Sequence, residues 1–482
     1  MNRRMIFYMV GNIILLEAVL LMLPLLVALI YQEMNGVNSF SVTILIAAIT
    51  GALMKLLFKP HSKVIYAREG FIIVTFAWII LSLIGCVPFI LSREIPNFFD
   101  AFFETVSGFT TTGASIVCDV ESMSHGMLFW RSFTHWLGGM GVLVLIMAII
   151  PSDSGRAIHI MRAEMAGPVI GKIVPKIKET ARILYIIYLG LTALEFVLLL
   201  AGQMPLFDSA VHALGTAGTG GFGIKADSVA SYNPYLQWVI TIFMILFGIN
   251  FNLFYLLLLR KFKPVFTNRE LWFYFGIIIV SASIITYSIY PLYNNFSDSI
   301  RHSFFQVASI VSTAGFSTAD FNLWPDLAKG VIFILMFLGG CAGSTAGGLK
   351  LSRVIIMLKA IRKDIRHLLH PRSVAAVKYE GKNLDTSTMH GVTTYFALYI
   401  VLIAATFFIL SFEPSFDLQS NLTASVTCCN NVGPGLGLVG PMEGFAGYSW
   451  FSKLVLTFAM LFGRLEIYPI VLAFYPKTWT KK

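Results

Sequence analysis

Thr111-Thr112-Gly113-Ala114-Ser115, Thr219-Gly220-Gly221-Phe222-Gly223, Thr313-Ala314-Gly315-Phe316-Ser317 and Asn431-Val432-Gly433-Pro434-Gly435 read as four copies of one element. Their central glycines recur at intervals of 108, 94 and 118 residues. Each copy follows a short amphipathic stretch, at 98–107, 206–215, 299–309 and 419–427, and lies between two long apolar runs. Six places before the glycines stand Ser107, Gly215, Ser309 and Thr427; three places before stand Thr110, Gly218, Ser312 and Asn430, so small or polar residues recur at fixed offsets. The amphipathic stretches are too short to cross a hydrocarbon layer of about 30 Å, and the chain is expected to enter, turn and leave on one side. Non-helical backbone at membrane depth survives only where protein buries it or where it lines a watery path. Four copies around one axis satisfy both conditions.

Glycine at the centre of each copy has a chemical reason. A cation stripped of water needs oxygen ligands, and rings of backbone carbonyls supply them in potassium filters. Turning successive carbonyls toward an axis requires backbone angles that glycine reaches without a Cβ clash. The short helices aim their negative C-terminal ends at the same place. An anion pore would want a ring of Arg or Lys, and the strands contain none. A single copy reads better as a tight turn between packed helices; four aligned copies favour a cation pore.

Working outward, 57% of the 482 residues are hydrophobic and 12% charged, with a mean hydropathy of +0.77. Soluble domains carry about 25% charged residues, so the chain reads as an all-α multi-span membrane protein. Apolar spans of sufficient length fall near 5–31, 38–58, 70–92, 127–150, 182–203, 234–259, 270–292, 327–358, 389–411 and 447–474, about ten in all. The first, preceded by Arg3 and Arg4, reads as a retained helix rather than a signal peptide. The expected organisation is an N-terminal two-helix hairpin at 1–68. Four units of helix, half-helix, filter strand and helix follow, at 69–181, 182–268, 269–388 and 389–482.

The net charge of +10 belongs to topology rather than to nucleic acid. With both termini in the cytoplasm, Lys and Arg collect in the inner segments around 55–68, 156–182, 260–269 and 350–382. The outer segments carry Asp100, Asp119, Glu121, Asp208, Asp227, Asp298 and Asp320, which predicts an acidic, cation-concentrating mouth. Five cysteines, odd in number and mostly at membrane depth, indicate no disulfide framework. The basic segment 350–388, with His367 and His370 too few for a zinc site, is a docking surface for a soluble partner or anionic membrane lipid.

Some residues at membrane depth invite roles. Glu17 is expected to face and pair with another helix. Gly339, Gly340, Gly343, Gly347 and Gly348, with Ser344 among them, put five glycines into ten residues, and the helix should break there, as an intramembrane loop or as a close packing surface. Arg464, about eleven residues from the cytoplasmic end of the last span at 1.5 Å per residue, sits mid-membrane, either facing the pore as a barrier to cations or anchored on carbonyls. Arg131 and His135, one turn apart, are expected to pack and hydrogen-bond against the pore.

Together with these features, the run Arg131-Ser132-Phe133-Thr134-His135-Trp136-Leu137-Gly138-Gly139-Met140-Gly141 and the run Asn430 to Gly437 resemble the Trk/Ktr/HKT superfamily of potassium transporters, most closely its bacterial TrkH type. The resemblance spans essentially the whole chain, the N-terminal hairpin included. It implies potassium uptake across the cell inner membrane, one pore per subunit, a homodimer and a cytosolic nucleotide-binding regulatory subunit of the TrkA type. It implies K+ coordinated by carbonyls of Thr111, Thr112, Thr219, Gly220, Thr313, Ala314, Asn431 and Val432, just before Gly113, Gly221, Gly315 and Gly433. It also makes the 339–348 loop a gate. Sodium-preferring relatives often carry Ser at the first filter glycine, so Gly113 is of potassium type.

The alternative is a secondary transporter coupling potassium to sodium or protons, with a second ion site at Glu17 or Glu195. The chain is not expected to be an enzyme, having neither a His-Glu-x-x-His pair nor a nucleophile-base set. It carries no Gly-x-Gly-x-x-Gly after a soluble strand, so no organic cofactor is expected and nucleotide sensing falls to another polypeptide.

Overall fold

In the computed structural model, which describes residues 2–60, 66–141, 177–372 and 376–480, nearly all ordered structure is helical. The one strand pair among the described residues is a small antiparallel hairpin, Lys378–Tyr379 with Lys382–Asn383. Six helical segments are long and apolar enough to cross a bilayer: Arg3–Ile30, Met34–Leu57, Arg68–Leu91, Glu179–Ala201, Arg269–Tyr293 and Thr386–Leu410. Two more expected spans are bent pairs, Pro234–Phe247 with Phe251–Leu258 at 94° and Trp450–Arg464 with Tyr468–Phe474 at 118°. Against the expected ten, the described residues contain six continuous spans, or up to eight with the bent pairs. Of the other two, 127–150 runs beyond the described residues after His125–Gly139, and 327–358 is interrupted between Leu335 and Leu351.

The first two spans, joined by a short turn at 31–33, pack against each other as a helical hairpin. Gly11 and Gly51 face each other so closely that a Cβ on either would lie about 3 Å from the other's carbonyl oxygen, an approach only small residues permit. The hairpin's turn is tied to the rest by Glu33, whose carboxylate accepts from the backbone N–H groups of His125 (2.7 Å) and Gly126 (2.9 Å). These are orphan donors at a helix N-terminus, where negative charge is favoured. Glu17 finds no such partner: it is buried, and neither carboxylate oxygen makes a hydrogen bond among the described residues. The pairing expected for it is absent.

Each of four half-helices lies between a longer helix before it, the outer helix, and a shorter one after it, the inner helix. The half-helices are Phe98–Phe109, Leu206–Gly218, Phe296–Val311 and Leu418–Asn430, two to five residues longer than their amphipathic pattern suggested. At 1.5 Å per residue they reach about 18–24 Å, short of a full crossing. Side chains of Asn97, Asn295 and Asp417 cap three of them.

All four inner helices are short: His125–Gly139, Pro234–Phe247, Asp326–Leu335 and Trp450–Arg464. The sequence reading foresaw one break, at 339–348. The structure also breaks the second inner helix at Gly248–Asn250 and the fourth at Leu465–Ile467. Glycines near these ends admit backbone contact. A Cβ on Gly138 would lie 1.8 Å from the Phe109 carbonyl oxygen, and one on Gly463 would lie 2.3 Å from that of Cys429. The inner helices are thus seated on the C-terminal ends of the first and fourth half-helices.

Candidate functional site

Each half-helix ends in one and the same turn. The residue two places before the central glycine is left-handed: Thr111 (φ 55°), Thr219 (55°), Thr313 (57°) and Asn431 (54°). The glycines follow with φ of 79°, 75°, 82° and 99°. Between them, the N–H groups of Thr112, Gly220, Ala314 and Val432 donate to the carbonyls of Ser107, Gly215, Ser309 and Thr427, at 2.8–3.1 Å. Those acceptors are the small residues six places before the glycines. The N–H groups of Thr111, Thr219, Thr313 and Asn431 donate one residue further along, to Gly108, Thr216, Ile310 and Cys428. This double bond pattern is the Schellman helix end, normally built on glycine. A β-branched residue in the left-handed region costs about 1–2 kcal/mol, and such strain persists at sites where surrounding structure over-determines it.

The hydroxyls and the amide on these strained residues face inward contacts. Thr313 Oγ1 accepts from the N–H of Gly347 (2.6 Å), and Thr111 Oγ1 accepts from Arg464 (3.3 Å). Asn431 Nδ2 donates to Thr112 Oγ1 (3.0 Å) and to the Met460 carbonyl (2.9 Å).

The glycines define how the four strands meet. A Cβ on Gly113 would lie 2.0 Å from the carbonyl oxygen of Gly220, and one on Gly221 would lie 2.0 Å from that of Ala314. One on Gly315 would lie 2.7 Å from the Val432 oxygen, and one on Gly433 would lie 2.7 Å from the Thr112 oxygen. Strand one therefore abuts two, two abuts three, three abuts four, and four abuts one. The cycle closes. All four glycines line a single outer chamber of about 550 Å³.

On the opposite side lies a much smaller cavity of about 50 Å³, lined by Gly139, Ala346, Gly347, Lys350 and Arg464 among others. The broken third inner helix fills this region. Its loop is pinned by Gly339 N–H to the Leu349 carbonyl (2.9 Å), Cys341 N–H to Gly248 (2.9 Å) and Phe251 N–H to Gly343 (3.0 Å). Lys350 is buried and its Nζ donates to the Ala346 carbonyl. Arg464 donates to the carbonyls of Thr345 (3.0 Å), Gly138 (2.5 Å) and Gly139 (2.7 Å). Its depth cannot be counted along a continuous span, since its helix ends there and the chain turns through 118°. The contacts with the loop and with Thr111 nonetheless put it against the base of the strands.

Two carboxylates that sequence reasoning passed over hold this assembly. Glu104, fully buried, accepts from Arg131 Nε (2.9 Å) and Nη2 (2.6 Å), from the Ser115 hydroxyl (2.9 Å) and from the Ile116 N–H (2.9 Å). An acid as the one charged residue of the 101–109 stretch was the available signal. Glu270 accepts from the loop N–H of Ala342 (2.8 Å) and from the Tyr379 hydroxyl (3.0 Å) on the small β-hairpin. Burial, with Glu270 nearby, pushes the Tyr379 phenol up, so it stays protonated and keeps donating. Glu466, near Arg464 in sequence, pairs instead with Arg353 (2.5 Å). Glu195 is buried without a hydrogen bond among the described residues.

Of the seven outer-segment acids, Asp119 and Glu121 are exposed beside Cys118 and Val120 of the chamber wall, while three others are engaged locally. The charged side chains lining the outer chamber are Arg131, Lys225 and Glu443. Asp100 is paired with Lys453 (2.6 Å), Asp298 with Arg301 (2.7 Å), and Asp208 accepts from the Tyr232 hydroxyl (2.7 Å). These acids serve local structure.

A family model described as TrkH, cation transport protein, matches residues 36–276 and 287–481. The chain belongs to the TrkH family. Similar relatives include the Trk system potassium uptake protein TrkH of Salmonella typhimurium, 35% identical over 99% of this chain and 100% of that one. The protein of that name in Escherichia coli K12 is 34% identical with the same coverage. The crystal structure of the potassium transporter TrkH from Vibrio parahaemolyticus superposes with a TM-score of 0.89 at 31% identity, covering both chains completely. The resemblance carried by the four strands is thus matched across the whole of this TrkH-family chain, a helical membrane protein of a cation-transport family.

Proposed function

We propose that this chain takes up potassium through a single pore lined by carbonyls of the four strands. The closed cycle of glycine-to-carbonyl approaches, 113 to 220, 221 to 314, 315 to 432 and 433 to 112, carries the reading. Four equivalent turns in a ring supply oxygen ligands to a dehydrated cation from Thr111, Thr112, Thr219, Gly220, Thr313, Ala314, Asn431 and Val432. The segments 69–181, 182–268, 269–388 and 389–482 are then four copies of one unit around the axis, with 1–68 outside them. Part of the first lies beyond the described residues.

In this reading the loop with Gly339, Gly340, Gly343, Ser344, Gly347 and Gly348, together with Arg464, is the gate, and Lys350 places a second basic side chain beneath the filter. The large outer and small inner cavities support a closed conformation. The relatives' names support potassium as the cargo, with other Trk components as partners. A cytosolic nucleotide-binding subunit of the TrkA type acts on the gate from the basic side, and two copies of the chain form a homodimer with both termini cytoplasmic.

Reconstitution in liposomes tests this. Passive Rb+ and K+ flux down a gradient, without a co-ion, is expected. Flux that vanishes in the absence of Na+ or H+ refutes the passive pore and favours coupling, for which buried Glu17 and Glu195 would be the places to look.

A further inference from the structure

We infer that His135 is a positioning residue for the second filter strand and so for discrimination between K+ and Na+; this rests on the pore reading above. The residue before the central glycine is Thr112, Ala314 and Val432 in strands one, three and four, and Gly220 in strand two. The missing side chain is replaced from outside the strand. A Cβ on Gly220 would lie 2.2 Å from both Cγ and Nδ1 of the His135 imidazole, so the ring fills that space.

Two consecutive glycines make strand two the least restrained of the four. His135, buried on the first inner helix, brackets that weak point. Its Nδ1 lies 2.7 Å from the Gly108 carbonyl, and the N–H of Phe222 donates to its Nε2 at 3.3 Å. A backbone N–H needs an acceptor and a carbonyl needs a donor, so Nδ1 carries the proton and the ring is neutral. The ring also packs on Phe222 at 4.2 Å between centroids, and Arg131 lies 4.1 Å over that same phenyl ring.

The Gly220 carbonyl is therefore held between a ring packed at Gly220 and a hydrogen bond at Phe222. It is also the oxygen that meets Gly113 at one of the two tightest points of the cycle. Through Gly108, the same imidazole fixes this carbonyl relative to the first half-helix. No contact with an ion is required: His135 acts through strand two.

The decisive comparison is His135→Gln against His135→Met in liposomes, reading Rb+ uptake and its competition by Na+. Both side chains are long and unbranched, but only the carboxamide offers a donor to Gly108 and an acceptor to Phe222. His135→Gln should keep the parent selectivity within about twofold, and His135→Met should lower it about tenfold while the protein stays folded. Equal selectivity of the two folded variants overturns the inference, as does a loss of K+ and Na+ flux in equal proportion. A parent protein without K+ flux would instead sink the pore reading.

Discussion

Alanine at each of the four central glycines should damage the pore in a rank order that the structure sets. Every substitution meets a similar backbone penalty of about 1–2 kcal/mol, because all four glycines have positive φ between 75° and 99°. What differs is the neighbouring carbonyl. For Gly113→Ala and Gly221→Ala the new methyl lies 2.0 Å from that oxygen, which must retreat by about 1.4 Å to reach ordinary contact near 3.4 Å. For Gly315→Ala and Gly433→Ala the starting distance is 2.7 Å, and a retreat of about 0.7 Å suffices. A carbonyl moved by more than an ångström leaves the coordination ring. On the scale of interactions with charged groups, losing one such ligand costs about 1.5–3 kcal/mol, or about 10- to 100-fold in permeation. K+ over Na+ selectivity should fall by that amount in the 113 and 221 variants, and by less than about tenfold in the 315 and 433 variants. Rb+ uptake into liposomes with Na+ competition reads the effect, and size-exclusion and thermal melting control for folding. Equal effects at all four positions, or the reverse order, would refute carbonyl displacement as the cause.

Arg464→Ala removes the cation bonded to Thr345, Gly138, Gly139 and Thr111, and potassium flux without a regulator should rise about tenfold or more. Unchanged flux in a folded variant would leave Arg464 as an anchor only. Cys118 is the exposed cysteine among five and lines the outer chamber, so a membrane-impermeant thiol reagent applied from that side should block uptake, with protection by Cys118→Ser. Block that persists in Cys118→Ser would place the reactive thiol elsewhere. Glu104→Gln breaks a buried pair with Arg131, at a cost of about 3–5 kcal/mol, and should lower the melting temperature by several degrees. An unchanged melt would mean that the Ser115 and Ile116 contacts suffice.

How much of this was legible depended on whether the signal was local. The half-helices and strands were readable because small residues at fixed offsets from Gly113, Gly221, Gly315 and Gly433 meet a local backbone demand. The offset of six is the acceptor of the Schellman bond. The left-handed Thr111, Thr219 and Thr313 were not readable, since propensity argues against β-branched residues there. Breaks in the inner helices were hidden inside apolar runs, where hydropathy does not register a bend. Gly138, Gly248, Gly339 and Gly463, 24 to 30 residues after each filter glycine, were the missed periodic cue. Pairings such as Arg353 with Glu466 join residues 113 apart, and no pattern in one sequence announces them. For a related reason charge counting does not distinguish exposed acids such as Asp119 and Glu121 from Asp100, which pairs with Lys453.

The loop at 339–348 and Arg464 lie in the third and fourth quarters of the proposed pore, 269–388 and 389–482, alone. Their contacts are more evenly spread. Arg464 binds carbonyls of the first and third quarters, and the loop's Cys341 donates to Gly248 in the second. The third-quarter loop also donates through Gly347 to Thr313, while Arg464 donates to Thr111. Those two threonines hold the strained left-handed turns that aim the filter carbonyls. Withdrawing the loop or Arg464 therefore removes hydrogen bonds from the base of the filter itself. If the loop and Arg464 form the proposed gate, strain at Thr111 and Thr313 has less to hold it once they move, and permeation and selectivity are expected to change together rather than as separate parts.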